Sequence, residues 1–205
     1  MRIFGIDPGS ERTGYGCVET DGRVTRLVIC GAITGSTKDS FPQRLARIHR
    51  ELSSLMKGCR PDCVAIESLF FAVNARSALK LGHARGVAVL AAVEGGYPVV
   101  EYTPAEIKRA VVGYGRAEKG QVQQMIKLLL GLAKPPSPHD AADALAVAIC
   151  HLHSLPPVRL KPDPTKKDAD VGSGFSRTRK DADVGSGFSR TKLKSWRQYR
   201  PPITG

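Results

Sequence analysis

An α/β domain, built on a mixed five-stranded sheet with helices on both faces, is the fold class this sequence predicts. Three observations carry the prediction. The first 33 residues read as three strands in a meander. After them, short unbroken apolar runs alternate with amphipathic stretches, the pattern of strand–helix units. Two of the apolar runs close on an acid, Asp7 and Glu67. An acid at the end of a buried strand is costly unless a cation meets it, so its presence there asks for a reason.

In chain order, residues 2–7 form the first strand and Pro8-Gly9-Ser10 turns the chain. Residues 13–20 form the second, Asp21-Gly22 is a strong hairpin signal, and 24–33 form the third. Phe41, Leu45, Ile48, Leu52 and Leu55 recur at helical spacing, and Gly58 is placed to stop that helix. Residues 63–66 are uniformly apolar, as a central strand covered on both faces requires. Residues 77–93 read as a long helix rich in Ala and Gly. Its small residues suit either packing on the sheet or contact with a second copy, and the two readings stand level. A strand at 98–102 follows. Thr103-Pro104-Ala105-Glu106 is a capping box with Pro at the first helical position, opening a helix to Val112. Gly113-Tyr114-Gly115 breaks it. Residues 118–130 form another helix, with Val122, Met125, Ile126 and Leu129 on its apolar face. Ser137 is expected to cap a last helix running to about Leu152. The order β-β-β-α-β-α-β-α-α-α makes the strand ending in Glu67 parallel to the strand ending in Asp7, joined by a right-handed crossover. Sites of α/β proteins gather at such carboxyl ends.

The chain has 205 residues, 31 Lys and Arg against 19 Asp and Glu, and a formal net charge of +12. That balance points to a polyanionic partner. No apolar run reaches the ~20 residues that span a bilayer, and residues 3–6 are too short for a signal-peptide core, so a cytoplasmic location is expected. Five cysteines at irregular spacing, with no Cys-x-x-Cys knuckle, read as reduced and mostly buried thiols. Residues 1–153 are expected to fold. Residues 154–205, rich in Pro, Gly, Ser, Lys and Arg, are expected to form a disordered basic tail. Within it, residues 167–178 recur verbatim as 180–191, an in-frame duplication. The folded part holds 19 basic and 14 acidic residues, so most of the charge bias, 12 basic against 5 acidic, lies in the tail.

Two more acids, Asp140 and Asp143, stand three apart at the start of the last helix and share a face. Asp140 by itself stands three residues after Ser137, where it would complete a capping box and suit the helix N-terminus, and needs no further role. Asp143 lies among Ala141, Ala142 and Ala144, small neighbours that leave room for a metal and a phosphate. Together, Asp7, Glu67, Asp140 and Asp143 suit phosphodiester hydrolysis with two divalent ions about 4 Å apart. An all-carboxylate set fits Mg2+ better than zinc. His139, beside Asp140, is either a proton shuttle or a solvent-facing residue at the helix start. A strand ending in Asp before a glycine-containing hairpin also opens the phosphate loop of actin-like ATPases, but those need two lobes.

Five segments together closely resemble the RuvC-type Holliday junction resolvases: Asp7-Pro8-Gly9 with Thr13-Gly14-Tyr15-Gly16; Ile66-Glu67; NARSALKLGHARG at 74–86; VVGYGRAEKGQV at 111–122; and HDAADALA at 139–146. The resemblance covers residues 1 to about 153. It implies a ribonuclease-H-like fold and a homodimer that makes paired symmetric nicks in a four-way DNA junction, in recombination and repair. It implies that Asp7, Glu67, Asp140 and Asp143 are the catalytic, metal-binding acids, with two Mg2+ per subunit and Mn2+ as a substitute. It places Phe70 against unstacked bases at the crossover, although the doubled Phe70-Phe71 leaves the contacting ring open, and it places Lys108 and Lys119 near the scissile phosphate. A RuvA–RuvB branch-migration complex is the implied partner. A junction-binding module without catalysis, and a ribonuclease H acting on RNA–DNA hybrids, are the alternatives.

Overall fold

The computed structural model describes residues 1–36, 38–68 and 75–155. Phe70, its neighbour Phe71 and the duplicated segment lie outside the described residues. The elements are β1 (Arg2–Asp7), β2 (Arg12–Thr20), β3 (Thr25–Thr34), α1 (Phe41–Cys59), β4 (Cys63–Glu67), α2 (Ala75–Glu94), β5 (Val99–Tyr102), α3 (Pro104–Val112), α4 (Lys119–Leu129) and α5 (His139–Ser154). They follow the expected order. The strands form one five-stranded sheet in the order β3-β2-β1-β4-β5. β1 pairs antiparallel with β2 and parallel with β4, so it lies at the centre where the sheet changes from meander to parallel crossover.

Alternation along the strands sends successive side chains to opposite faces. Phe4, Ile6, Cys17, Val64 and Ile66 face α1 and α2, where Ile48, Leu52 and Met56 meet them. Ile3, Val18, Cys63 and Ala65 face the other way, onto α3, α4 and α5. Each fully buried Ile, Leu or Phe contributes roughly 1.5–3 kcal/mol, so each face has its own apolar core. The same parity decides the site. Asp7 continues the series Ile3, Gly5, and Glu67 continues Cys63, Ala65, so both acids project toward α5 one step beyond the paired Ile6 and Ile66.

α5 lies unusually close to the sheet. A Cβ on Gly5 would stand 2.0 Å from the Ala144 carbonyl oxygen, and one on Gly14 would stand 2.0 Å from that of Asp140. Gly16 meets the Leu145 side chain in the same way, at 2.7 Å. Gly5 pairs with Gly16, and Gly14 with Asp7, across β1 and β2. These glycines form a side-chain-free seat for the helix. Ala141, Ala142 and Ala144 are fully buried in it. They were expected to leave space around Asp143; instead their small size lets two backbones approach.

Three element ends differ from expectation. α1 runs through Gly58 to Cys59, and Arg60 takes the left-handed cap at φ 49° while its N–H bonds the Met56 carbonyl. The extra residue brings Cys59 into the core, at 7% exposure, which a stop at Gly58 would forgo. Ser137 does not cap α5: Pro138 is the cap residue and Asp140 is the second helical residue, so it completes no capping box. Leu129 is 38% exposed, whereas Leu130, just past the helix end, turns inward to 8%. The α3 capping box forms as expected, the Glu106 N–H donating to Thr103 Oγ1. All five cysteines are free, and burial pushes Cys17 up to about 12 and Cys150 up to about 11, so these thiols stay protonated. No described helix is long and apolar enough to cross a membrane.

In α2 small and large apolar residues take opposite faces. Ala84, Ala88, Ala91 and Ala92 are buried against α1 and the sheet, while Leu79, Leu90 and Val93 are exposed at 65%, 49% and 58%. Packing on the sheet is therefore met by the alanine stripe, and the outer face is left apolar.

Gly14→Ala is expected to cost roughly 3 kcal/mol, the upper part of the range for overpacking, because its Cβ meets backbone that cannot rotate away. For a chain of this size that lowers the midpoint of thermal unfolding by roughly 10 °C. Gly58→Ala, in open space within a helix, is expected to raise it slightly. Thermal melts of both variants check the pair of outcomes.

Candidate active site

Four elements converge at the carboxyl edge of β1 and β4. Asp7 ends β1, Glu67 ends β4, Asp143 lies in the first turns of α5, and Lys119 is the first residue of α4. These side chains, with Lys108 from α3, line a cavity of about 240 Å³ whose apolar walls are Pro104, Ile107, Val122 and Ala146. The helix starts are fixed locally. In α4, the Glu118 N–H donates to Gln121 Oε1 at 2.9 Å, and the Tyr114 hydroxyl donates to the same oxygen at 2.8 Å. This sets where Lys119 emerges. After Asp7, the fully buried Thr13 hydroxyl donates to the Gly9 carbonyl at 2.9 Å and closes the β1–β2 turn.

The sequence-expected residues sort into three groups. Asp7, Glu67, Asp143, Lys108 and Lys119 come together in the cavity. Asp140 does not line it, but its charge reaches both Asp7 and Lys119. Its backbone carbonyl sits over Gly14. Phe70 lies outside the described residues. His139 is exposed and hydrogen-bonded to Gln123, which ties it to α4. Lys108 is half-buried at the cavity wall. Sequence reasoning missed Thr13 and the glycine seat. Their only signal was the alternation of Gly14 and Gly16 inside a strand, where glycine otherwise weakens pairing.

The electrostatics are those of acids held together without enough cation. Burial first, and then the neighbouring Glu67 charge, push the Asp7 carboxyl up to about 8. At neutral pH it keeps a proton and shares it in a hydrogen bond with Glu67. Burial also raises Glu67, while that hydrogen bond and the Lys119 and Lys108 charges act the other way. Lys119 Nζ donates to Asp143 Oδ2 at 3.2 Å, and the Asp143 charge holds the ammonium above its ordinary value. A proton and a lysine thus offset part of the negative charge. Among the described residues no three His, Cys, Asp or Glu side chains already stand in an arrangement that clasps an ion. The donor chemistry nevertheless fits a hard divalent cation: the three acids lining the cavity offer carboxylate oxygens and no sulfur or imidazole.

The raised Asp7 pKa has a definite sign in stability. Between the ordinary value of 3.8 and about 8, the folded protein holds a proton that the unfolded chain gives up. Stability therefore falls as pH rises through that window. In metal-free buffer the unfolding midpoint is expected to drop from pH 5 to pH 8. Asp7→Asn is expected to flatten the drop and to be the more stable protein at pH 8. Thermal melts across pH with a chelator present check this.

Residues 3–151 match the family described as crossover junction endodeoxyribonuclease RuvC. A relative of that name from Koribacter versatilis is 55% identical over 155 residues, covering 75% of this chain and 93% of the relative. Among solved structures, Thermus thermophilus RuvC superimposes with a TM-score of 0.69 at 36% identity, covering 75% of this chain and 94% of that one. The same protein in complex with a Holliday junction substrate gives 0.69 at 34% identity, with the same coverage. The sheet and its helices are thus the ribonuclease-H-like arrangement of these resolvases, and the chain belongs to the RuvC family of crossover junction endodeoxyribonucleases.

Proposed function

We propose that this chain resolves four-way DNA junctions in recombination and repair, cutting two strands symmetrically by hydrolysis of phosphodiester bonds. The observation that carries the reading is the convergence of Asp7, Glu67 and Asp143 with Lys108 and Lys119 in one cavity at the carboxyl edge of the sheet. Family membership and the likeness to a resolvase solved with its junction support the substrate.

Asp7, Glu67, Asp140 and Asp143 are the residues proposed to hold divalent metal, two Mg2+ per subunit with Mn2+ able to replace them. Bound there, the metal would activate a water and offset charge on the departing 3′ oxygen. The protein's own groups supply the rest. Asp7 must lose its proton before it can ligate, and the acids' mutual repulsion favours a cation. Lys108 and Lys119 are placed to neutralise a phosphate entering the cavity. Lys119 reaches Asp143 from the start of α4 on a mostly exposed stem, so its ammonium has the freedom to turn from carboxylate to phosphate. Apolar Pro104, Ile107 and Val122 limit water around the reacting group.

Two active sites are needed for paired nicks, and the apolar outer face of α2 is the surface proposed to join two copies. Leu79, Leu90 and Val93 are exposed there, and Gly82 and Gly86 leave the face open to close approach. Residues 1–153 form the proposed nuclease domain in the cytoplasm, and 154–205 add non-specific attraction to DNA through their charge. Phe70 is proposed to meet bases at the crossover, and a RuvA–RuvB complex to deliver the junction.

Incubation with Mg2+ and a mobile four-way junction, beside linear duplex and an RNA–DNA hybrid, tests the function. Symmetric nicking of the junction alone is expected, with Asp7→Asn reducing the rate at least a thousandfold, about 4 kcal/mol of barrier. Binding without cutting would leave only a junction-binding module, and cutting of the hybrid instead would replace the substrate. Sedimentation checks the second surface. The wild type is expected to run as a dimer and Leu90→Asp as a folded monomer.

A further inference from the structure

The acids and lysines that line the cavity of the proposed active site lie on the α5 side of the sheet. A second polar cavity lies across the same edge, on the α1–α2 side. It measures about 320 Å³ and is lined by Ser10, Glu11, Phe41, Arg44, Ser77 and Lys80. Ser10 and Glu11 belong to the β1–β2 turn that begins immediately after Asp7. Three residues of chain span at most about 10 Å, so this cavity opens close to the acids although the sheet edge separates the two.

Its two cations are held and yet uncompensated. The Arg44 Nε donates to the Asp39 carbonyl at 3.2 Å, and its stem packs beside Gly35. This holds the side chain, and among the described residues no hydrogen bond or ion pair engages the two terminal amino groups of the guanidinium. The nearby Asp39 carboxylate is occupied by Arg47 at 2.8 Å. Lys80 Nζ stands 5.9 Å from the centre of the Phe41 ring, a cation–π contact that orients the ammonium without neutralising it. Among the described residues neither Arg44 nor Lys80 forms an ion pair. Ser10 and Ser77 add hydroxyl donors, and Glu11 is the one acid in the lining. A planar guanidinium, a lysine and two hydroxyls around a small cavity match the chemistry of a phosphodiester group.

We propose that this cavity seats a backbone phosphate of the junction, a few nucleotides from the cleaved bond. A strand crossing the sheet edge would be cut on the α5 side and anchored on the α1–α2 side, with the β1–β2 turn beneath it. A separation bounded at about 10 Å by the reach of the intervening chain corresponds to no more than a few nucleotides of backbone. Anchoring there would fix the register of the strand over Asp7 and Glu67 without reading its sequence. This inference rests on the junction-nuclease reading of the other cavity.

Equilibrium binding of the full-length protein to a four-way junction, with a chelator present to prevent cutting, decides it. Binding is measured from 50 to 200 mM salt for the wild type, Arg44→Gln plus Lys80→Gln, and Glu11→Gln. The double variant is expected to bind about tenfold more weakly and to lose about one unit from the slope of log K against log salt, the signature of one phosphate contact. Glu11→Gln is expected to bind several-fold more tightly, a gain that misfolding cannot imitate. Single methylphosphonates are scanned over the first few nucleotides from the cut, and one of them should weaken the wild type and leave the double variant unchanged. A double variant with wild-type affinity and slope, or with equal sensitivity to every methylphosphonate, overturns the proposal. A wild type that does not prefer the junction to linear duplex would instead overturn the junction reading. The slopes on that duplex would then still decide whether the cavity holds a phosphate.

Discussion

The seating of α5 on β1 and β2 is the constraint from which the rest of the site follows. The helix approaches the sheet so closely that Gly5 and Gly14 have no room for a Cβ. With a side chain at either place, α5 would stand off by the width of a methyl group or more, and Asp143 would move away from Asp7 and Glu67. Interiors packed to crystal-like density do not absorb such a shift gradually. The alanines on the facing side of α5 serve the same end, since their small side chains are buried fully without holding the backbones apart. A carboxylate cluster fed by two strands and a helix therefore depends on residues that carry no functional group.

That closeness has an electrostatic consequence. The acids are brought together in a partly buried place, and the protein meets the cost with a proton on Asp7 and the Lys119 ammonium on Asp143. Both counter-charges are replaceable. A proton held at about 8 is released readily near neutral pH when a divalent cation competes for the same oxygens. An exposed lysine that pairs with Asp143 from a flexible stem is as free to pair with a phosphate. The site is thus destabilised by its own charges in a way that favours the ligands of hydrolysis. A core of apolar residues in the same volume would hold the fold better and do nothing.

Much of this was legible in the sequence because the relevant signals are local and periodic. The meeting of Asp7 and Glu67 was legible from their places at the carboxyl ends of two parallel strands, and the observed register adds that both face α5. The Thr103–Glu106 capping box announced α3 because its chemistry is confined to four residues. What stayed hidden depends on distance in space. The alanines around Asp143 looked like open space and are instead a packing surface, because sequence does not say how near a helix lies to a sheet. Gly58 looked like a helix stop, yet the burial of Cys59 outweighs the helix-breaking tendency of an exposed glycine. Asp140 was indistinguishable from an ordinary helix-start acid, and its place one step outside the cavity keeps it between the two roles.

The sheet also divides the labour between its faces. On the α5 side, charge is concentrated and backbone is packed against backbone, so little there can change without moving an acid. On the other side, α1 and α2 close over Phe4, Ile6, Val64 and Ile66 with ordinary side-chain interdigitation, which leaves their outward surfaces free to vary. α2 uses that freedom twice: alanines turn inward, and Leu79, Leu90 and Val93 turn outward. Its first turns carry Ser77 and Lys80 to the same sheet edge that the acids occupy. An element with an apolar outer face and a basic N-terminal end can join subunits along its length and still touch a polyanion at its tip. Because β4 ends in Glu67 and α2 begins at Ala75, the tip of that helix is tied by a short stretch of chain to a candidate ligand.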